Sequence, residues 1–429
     1  MLWSSIMSRG RRQRTEAVIA IAVAAVITAA LSAQEPRWFS AWAAAHNVGL
    51  VVDGLNGASV RLIVRPTLSG RSLRVKLSNI RGNTPAVFAA AFVGVAGVGA
   101  AVVPGTNRRL TFRGGAQDLT LAPDESVWSD PVAFDVKAFQ RLTVSLDITS
   151  ASDVSMDTLA LVSTYRASGH HAAATSADGF AAIPANAPDS KVDEYPMYWL
   201  TALDVESMSA SGTIVAVGDS WIDGRCSTTE NGRVRPDLYQ RWIDVLAARL
   251  ANERPREPRA VVNAGIGGNR IIPGGGNGSP LLQRLDRDVL ERAGATHVIF
   301  QQGMNDIGGG ATAAQVTAAM QDVIDRVHAR GLRIIAGTLF PLARPDRARW
   351  TAPYDAQRIA VNEWIRTKAR FDGVIDFDRL MSGGPVYDGS QSLKPEFACD
   401  DDVHPNAAGY RAMGEFVDVA LFNPTGPRR

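Results

Sequence analysis

Two stretches far apart in the sequence hold the residue types that nucleophilic catalysis needs. The first is Gly218-Asp-Ser220, which follows the apolar run Ile214-Val-Ala-Val217. That run reads as a buried parallel strand, and Gly218 ends it. A serine on a turn at the C-terminal edge of such a strand is placed to meet a ligand. Gly-Asp-Ser is also ordinary turn chemistry, so a base, an orienting acid and oxyanion donors must accompany it. The second stretch is Asp400-Asp-Asp-Val-His-Pro-Asn406. In it Asp401 stands three residues before His404, a spacing that lets a carboxylate turn back onto Nδ1–H and leave Nε2 free as a base. Asp400 and Asp402 are rivals for that role, although adjacent residues tend to point away. A competing reading makes the acids a helix-entry loop that suits the dipole. It accounts for the aspartates but not for the histidine among them. Of the other histidines, His46 sits near the start of a β-rich region and His170-His171 lie in an Ala-rich loop. His297 opens an apolar strand, and His328 is near a helix end.

Two further stretches can supply oxyanion donors. Gly265-Ile-Gly-Gly-Asn269 follows a short strand, and its glycines allow a backbone N–H to come close to a substrate. A phosphate cradle is the competing idea, but the Gly-Lys-Ser/Thr ending is missing. Gly303-Met-Asn-Asp306 follows the strand His297-Val-Ile-Phe-Gln301. Its Asn305 can donate a side-chain amide to a developing oxyanion, or be a turn asparagine.

The elements around these stretches fall into two patterns. From residue 38 to about 205 the chain shows short alternating or β-branched runs, at 59–64, 73–77, 87–95, 109–112, 142–148 and 198–205, separated by turn clusters. This predicts an all-β, jelly-roll-like sandwich, with a long loop over 167–194. After a junction at 207–212, strands at 214–217, 261–262, 297–301, 333–339 and 374–377 alternate with helices at 236–250, 281–292, 312–330, 355–369 and 407–421. Alternation of this kind predicts a parallel sheet covered on both faces, a three-layer α/β/α arrangement. The expected organisation is therefore 1–33 as a leader, 34–206 as the sandwich and 207–429 as the α/β domain.

The leader rests on Arg9, Arg11, Arg12 and Arg14 followed by the uncharged, Ala-rich run from Ala17 to Ala33. It reads as an export signal cleaved near Ser32 or Ala33, with an uncleaved N-terminal anchor as the alternative. Removing residues 1–33 takes away four arginines and one glutamate and turns the formal charge of +2 into −1. Neither value makes an electrostatic case for a nucleic-acid partner. Export also bears on the two cysteines, Cys226 and Cys399. They lie six residues after Ser220 and five before His404. If that serine and histidine share a site, the cysteines come close enough to pair in an oxidising compartment. Two separate buried thiols are the other reading. No histidine pair or Cys/His set has metal-ligand spacing, so neither metal nor organic cofactor is expected.

Taken in order, Gly218-Asp-Ser220, Gly268 in Asn263-Ala-Gly-Ile-Gly-Gly268, Gly303-Met-Asn305 and Asp401-Asp-Val-His404 resemble the four blocks of the SGNH (GDSL-type) hydrolases. The resemblance covers about 213–423 and implies a flavodoxin-like hydrolase domain. It implies a Ser220–His404–Asp401 triad and an oxyanion hole from the backbone N–H groups of Ser220 and Gly268 and the amide of Asn305. The preceding β-region is more loosely similar to that of two-domain secreted members. Trp221 departs from the Leu or Ile usual after the serine; it can stack on a sugar or pack against the sandwich. Trp221 and Asn269 are the candidate substrate contacts. The expectation is a secreted serine esterase removing short acyl groups from carbohydrate. A broad-specificity arylesterase or lipase, a non-catalytic glycan-binding protein, and acyl transfer to another alcohol are the alternatives.

Overall fold

The computed structural model describes residues 37–183, 195–230, 233–342, 351–385, 391–401 and 403–423. The expected leader, 1–33, lies outside these residues, as does the 184–194 part of the expected loop. The described residues from 38 to 423 gather into one compact unit.

Its first half is built of strands. A seven-stranded sheet contains Ala58–Val64, Ala86–Val95 and Leu142–Ser150, and a five-stranded sheet contains Arg37–Ala43, Gly70–Ser78 and Leu200–Ser207. The central strand Leu142–Ser150 pairs antiparallel with both of its neighbours. Inward side chains of the two sheets share one core, with Val60, Leu62 and Val144 facing Leu73, Val75 and Leu77. This is the sandwich that the alternating runs predict. Several short strands escape sequence reading, among them Leu119–Leu121, Ser126–Trp128 and Val154–Asp157. They are too short to show a period.

The second half has a five-stranded parallel sheet in the order Arg259–Gly265, Gly212–Gly218, Ala295–Gln301, Arg333–Gly337, Gly373–Ile375. In chain order that is 2-1-3-4-5, the flavodoxin-like arrangement. With crossovers of the usual right hand, this strand order puts helices on both faces. The switch in direction lies at Gly212–Gly218, so the crevice of the fold opens at Ser220. Helix Trp242–Glu253 packs on Ala407–Phe416, and Ala313–Ala329 packs on Ala352–Thr367. Three helices are shorter than their periodicity suggests. The one predicted over 236–250 starts only at Trp242, because Asp237 and Tyr239 adopt left-handed backbone, at φ 63° and 52°. The segment predicted over 281–292 is a short α-helix, Leu281–Leu285, followed by a π-turn at Asp286–Leu290. The last helix stops at Phe416.

The two halves are joined by polar contacts as well as apolar ones. Thr67 exchanges hydrogen bonds with the backbone of Val261, at 3.0 Å in each direction. Arg292 donates to Thr201 O at 3.2 Å, and Asp237 accepts from both the N–H and the hydroxyl of Ser163.

Candidate active site

The parallel sheet ends its first three strands at one edge, and each following turn delivers one group. After Gly212–Gly218 the chain turns at once into the short helix Ser220–Asp223. Asp219 caps it by accepting from Trp221 N at 3.1 Å, and Gly224 closes it at φ 99°. Gly218 is required by space: a Cβ there would lie 2.1 Å from Gln301 O on the neighbouring strand. Buried Tyr410 donates its hydroxyl to Ser220 O at 3.3 Å and fixes the turn from the opposite side. After the second strand, Gly268 adopts φ 72°, a conformation that side chains other than glycine rarely take. After the third, Asn305 sits in the first turn of Met304–Gly308.

His404 arrives from the far end of the chain. Its Nε2 is 2.7 Å from Ser220 Oγ, and its Nδ1 is 2.6 Å from Asp401 Oδ2. The other carboxylate oxygen, Oδ1, accepts from the backbone N–H groups of Val403 and His404, both at 3.0 Å. Burial alone would raise the Asp401 pKa. The hydrogen bond from His404, its charge and those two backbone donors together hold it well below the usual carboxylate range. An ionised Asp401 fixes Nδ1–H on the imidazole and leaves Nε2 to accept the serine proton. Asp400 is exposed and Asp402 lies outside the described residues, so among the described aspartates of this run it is Asp401 that meets the ring. The helix-entry reading of the acids is answered by Asn406. Its Oδ1 caps the last helix at Gly409 N, 2.9 Å away, and leaves Asp401 for the histidine.

Two backbone donors on these turns are unused. Neither the N–H of Ser220 nor that of Gly268 has a hydrogen-bond partner among the described residues. The Asn305 amide donates to Asn269 O at 3.1 Å and lies 3.4 Å from Asp219 Oδ2. Beside these donors is a pocket of about 320 Å3, lined by Gly268, Arg270, Gly276, Asn277, Asn305, Gly308 and Val403. Burial, with the nearby charge of Asp306 adding to it, pushes Asp219 up to about 7 against the pull of its backbone bond from Trp221.

Cys226 and Cys399 form a disulfide. It ties the segment after Ser220 to the loop before His404, and Cys226 Sγ lies 3.8 Å from Asp401 Oδ2. The loop it closes spans 173 residues, which in the chain-entropy model stabilises the fold by about 5 kcal/mol. The same two sulfurs and Asp401 cluster as metal ligands would, but bonded sulfurs offer no thiolate.

Both candidate substrate contacts are corrected. Trp221 is 2% exposed; it stacks on Phe340 with ring centroids 3.7 Å apart and donates Nε1–H to Val403 O. It belongs to the α/β core and touches neither a cleft nor the sandwich core. The Asn269 side chain is fully buried. It donates to Asn277 O and Ser279 O and accepts from Arg284 and Gln302, so it braces the loop and has no capacity left for a ligand.

Other residues that organise the site carried no sequence signal. Buried Arg284 reaches Gly218 O, Ala264 O and Asn269 Oδ1, joining the first two strand ends to the loop of Gly268. Arg241 donates to Asp223 O and to Leu159 O and Ala160 O of the sandwich. A Cβ on Gly267 would lie 3.7 Å from Leu159 and 3.9 Å from the Ser220 Cβ, so the sandwich forms a wall of the site. An arginine in a helical pattern reads as surface, and only the converging carbonyls reveal otherwise.

Residues 216–412 match the GDSL-like lipase/acylhydrolase family. No curated protein matches the chain in sequence. Solved structures similar to it include a lipase/acylhydrolase from Enterococcus faecalis, at 22% identity over 48% of this chain and 92% of that one, with a TM-score of 0.36. Another is the acetylxylan esterase Axe2 from Geobacillus stearothermophilus, at 17% identity over 48% and 93%, TM-score 0.35. A third is a member of the lipolytic protein G-D-S-L family from Veillonella parvula, at 18% identity over 48% and 94%, TM-score 0.34. The region carrying the site, residues 216–412, matches the GDSL-like lipase/acylhydrolase family, and the chain is a serine ester hydrolase.

Proposed function

We propose that Ser220 is the nucleophile of an exported esterase that removes short acyl groups from carbohydrate. The observation that carries the catalytic part is the continuous chain from Ser220 Oγ through His404 to Asp401, at 2.7 and 2.6 Å, beside two unpartnered backbone N–H groups. In this reading His404 takes the Ser220 proton as Oγ attacks the ester carbonyl, and Asp401 stabilises the imidazolium. The N–H groups of Ser220 and Gly268 and the amide of Asn305 bind the oxyanion. His404 then protonates the departing alcohol, and a water attacks the acyl-serine by the same route to free the acid.

The short-acyl preference is supported by the lining of the pocket. Among the described residues Val403 is its only large aliphatic one, and glycines, asparagines and one arginine make up the rest, which suits polar groups better than a long hydrocarbon. Export is supported by the Arg-rich, then Ala-rich, start of the chain and by the disulfide. Hydrolysis of 4-nitrophenyl acetate, butyrate and octanoate, and acetate release from acetylated xylan, test the proposal with wild type and Ser220→Ala. Ser220-dependent acetate release with little octanoate turnover is the expected result. A preference for octanoate would replace it by a general acylhydrolase, and turnover by Ser220→Ala would remove Ser220 from the reaction.

A further inference from the structure

Among the described residues, Arg270 is the one charged side chain lining the pocket beside Gly268 and Asn305. Its backbone is fixed on both sides. Asn269 before it is held by four hydrogen-bond partners. After it, the N–H groups of Ile271 and Ile272 donate to the Asp306 carboxylate at 3.0–3.1 Å. Its own carbonyl accepts from Leu281 N at 2.8 Å. The guanidinium lies against two glycines, where a Cβ on Gly309 would come within 2.4 Å of Cζ and one on Gly275 within 2.8 Å of Nη1.

Held this firmly, the group is nevertheless hardly used. Among the described residues its single hydrogen bond runs from Nη1 to Gly274 O, at 3.4 Å, and it makes no ion pair. Nε is buried without a partner. Buried arginines elsewhere are used more fully: Arg61, whose Nε also lacks a partner, donates through both Nη atoms to the carbonyls of Ala100, His171, Ala174 and Ser176, and Arg284 uses all three of its nitrogens. Asp306, the acid that feels the charge of Arg270, already spends both carboxylate oxygens on backbone N–H groups.

We propose that Arg270 is a specificity residue that binds a carboxylate carried by the ester substrate, in the pocket next to the scissile carbonyl. The inference rests on the esterase reading of Ser220. A guanidinium presents a planar fork of donors that matches a carboxylate, and a preorganised one loses little freedom on binding. The carboxylate belongs either to the acyl part, as in a dicarboxylic half-ester, or to the alcohol part, as in an acetylated uronic acid.

Two substrate pairs separate these sources. For the acyl side they are 4-nitrophenyl hemisuccinate and 4-nitrophenyl butyrate; for the alcohol side, acetylated polygalacturonate and acetylated xylan. Each rate is corrected for the reaction without enzyme, and the anionic-to-neutral ratio of kcat/KM is taken within each protein, so a general loss in a variant cancels. For one pair the wild-type ratio should be about tenfold or more, the scale of a charge-assisted hydrogen bond. It should collapse toward one in Arg270→Gln, mainly through KM, be partly kept in Arg270→Lys, and fall with added salt in wild type. A wild-type ratio at or below one in both pairs, or a ratio unchanged in Arg270→Gln, overturns the proposal. Calorimetry of succinate and galacturonate with the wild-type chain needs neither turnover nor a folded variant, and no binding of either also overturns it. Anion binding without Ser220-dependent hydrolysis of the neutral esters would sink the esterase reading and leave Arg270 standing.

Discussion

Two serine–histidine pairs of nearly equal length stand in different halves of the molecule. In the sandwich, His46 Nδ1 is 2.8 Å from Ser155 Oγ; at the sheet edge, His404 Nε2 is 2.7 Å from Ser220 Oγ. Behind His46 stands the carbonyl of Leu200, at 3.3 Å, and behind His404 the carboxylate of Asp401. The carbonyl takes the proton on Nε2, so Nδ1 accepts from Ser155, but it offers no charge to stabilise an imidazolium. Ser155 is fully buried and also accepts from Arg81 N, whereas Ser220 is half-buried beside a pocket and two unpartnered N–H groups. Burial pushes His46 down to about 3 despite the raising effect of Leu200 O, and the ring stays neutral. A serine–histidine contact alone is therefore a satisfied polar pair. An acid behind the ring, access in front of it and donors for the oxyanion make it chemistry.

The sharpest way to break this contrast is to truncate each serine. Ser220→Ala should lower kcat for ester hydrolysis by roughly a hundred-thousandfold or more, the scale seen when a triad nucleophile is removed. Ser155→Ala should leave kcat within experimental error and instead lower the melting temperature. It leaves His46 Nδ1 and Arg81 N–H unpaired, at a cost of about 1–3 kcal/mol. Equal losses of activity would show that the two pairs are not distinguished as argued.

Removing the acid tests the next element. Asp401→Asn should reduce kcat by about 10,000-fold with little change in KM, because an amide can hold the wrong tautomer and cannot balance the imidazolium. A loss under tenfold would mean that another acid orients His404. Asn305→Ala should cost about 100- to 1,000-fold in kcat, the usual scale for one oxyanion donor. An effect confined to KM would place Asn305 in substrate binding instead.

The smallest effect belongs to the sandwich. His46 takes its proton only near pH 3 when folded but near its ordinary 6.5 when unfolded. Between those values the unfolded state binds more protons, so stability falls as pH falls. His297 is pushed down to about 4, first by burial and then by Arg259 and Arg333, and adds in the same direction. Thermal melts from pH 7 to 4 should show a falling melting temperature, with a shallower slope in His46→Asn. A slope unaltered by that substitution would take His46 out of the acid response.

The legible parts of the site are those that local pattern controls. Ser220, Gly268 and Asn305 each follow an apolar run that becomes a parallel strand, and parallel strands end on one edge whatever lies between them. Asp401 and His404 belong to one short loop, where a three-residue spacing nearly dictates the contact. The cysteine pairing follows once that serine and histidine are joined.

The remaining features were decided by segments that meet only in the folded chain. Trp221 points into the core because Phe340, over a hundred residues later, stacks on it. Arg241 and Arg284 are buried because carbonyls from distant turns converge on them, and a charge is stable inside only where its donors are satisfied. Sequence periodicity reports which face of an element is apolar. It says nothing of which backbone oxygens come together at a strand end, or which leave a donor such as Arg270 Nε unused. Local pattern along the chain set the sheet edge and the chemistry strung along it. The tertiary structure decided which neighbouring side chains brace that edge and which line the pocket, because those roles depend on partners the local pattern cannot name.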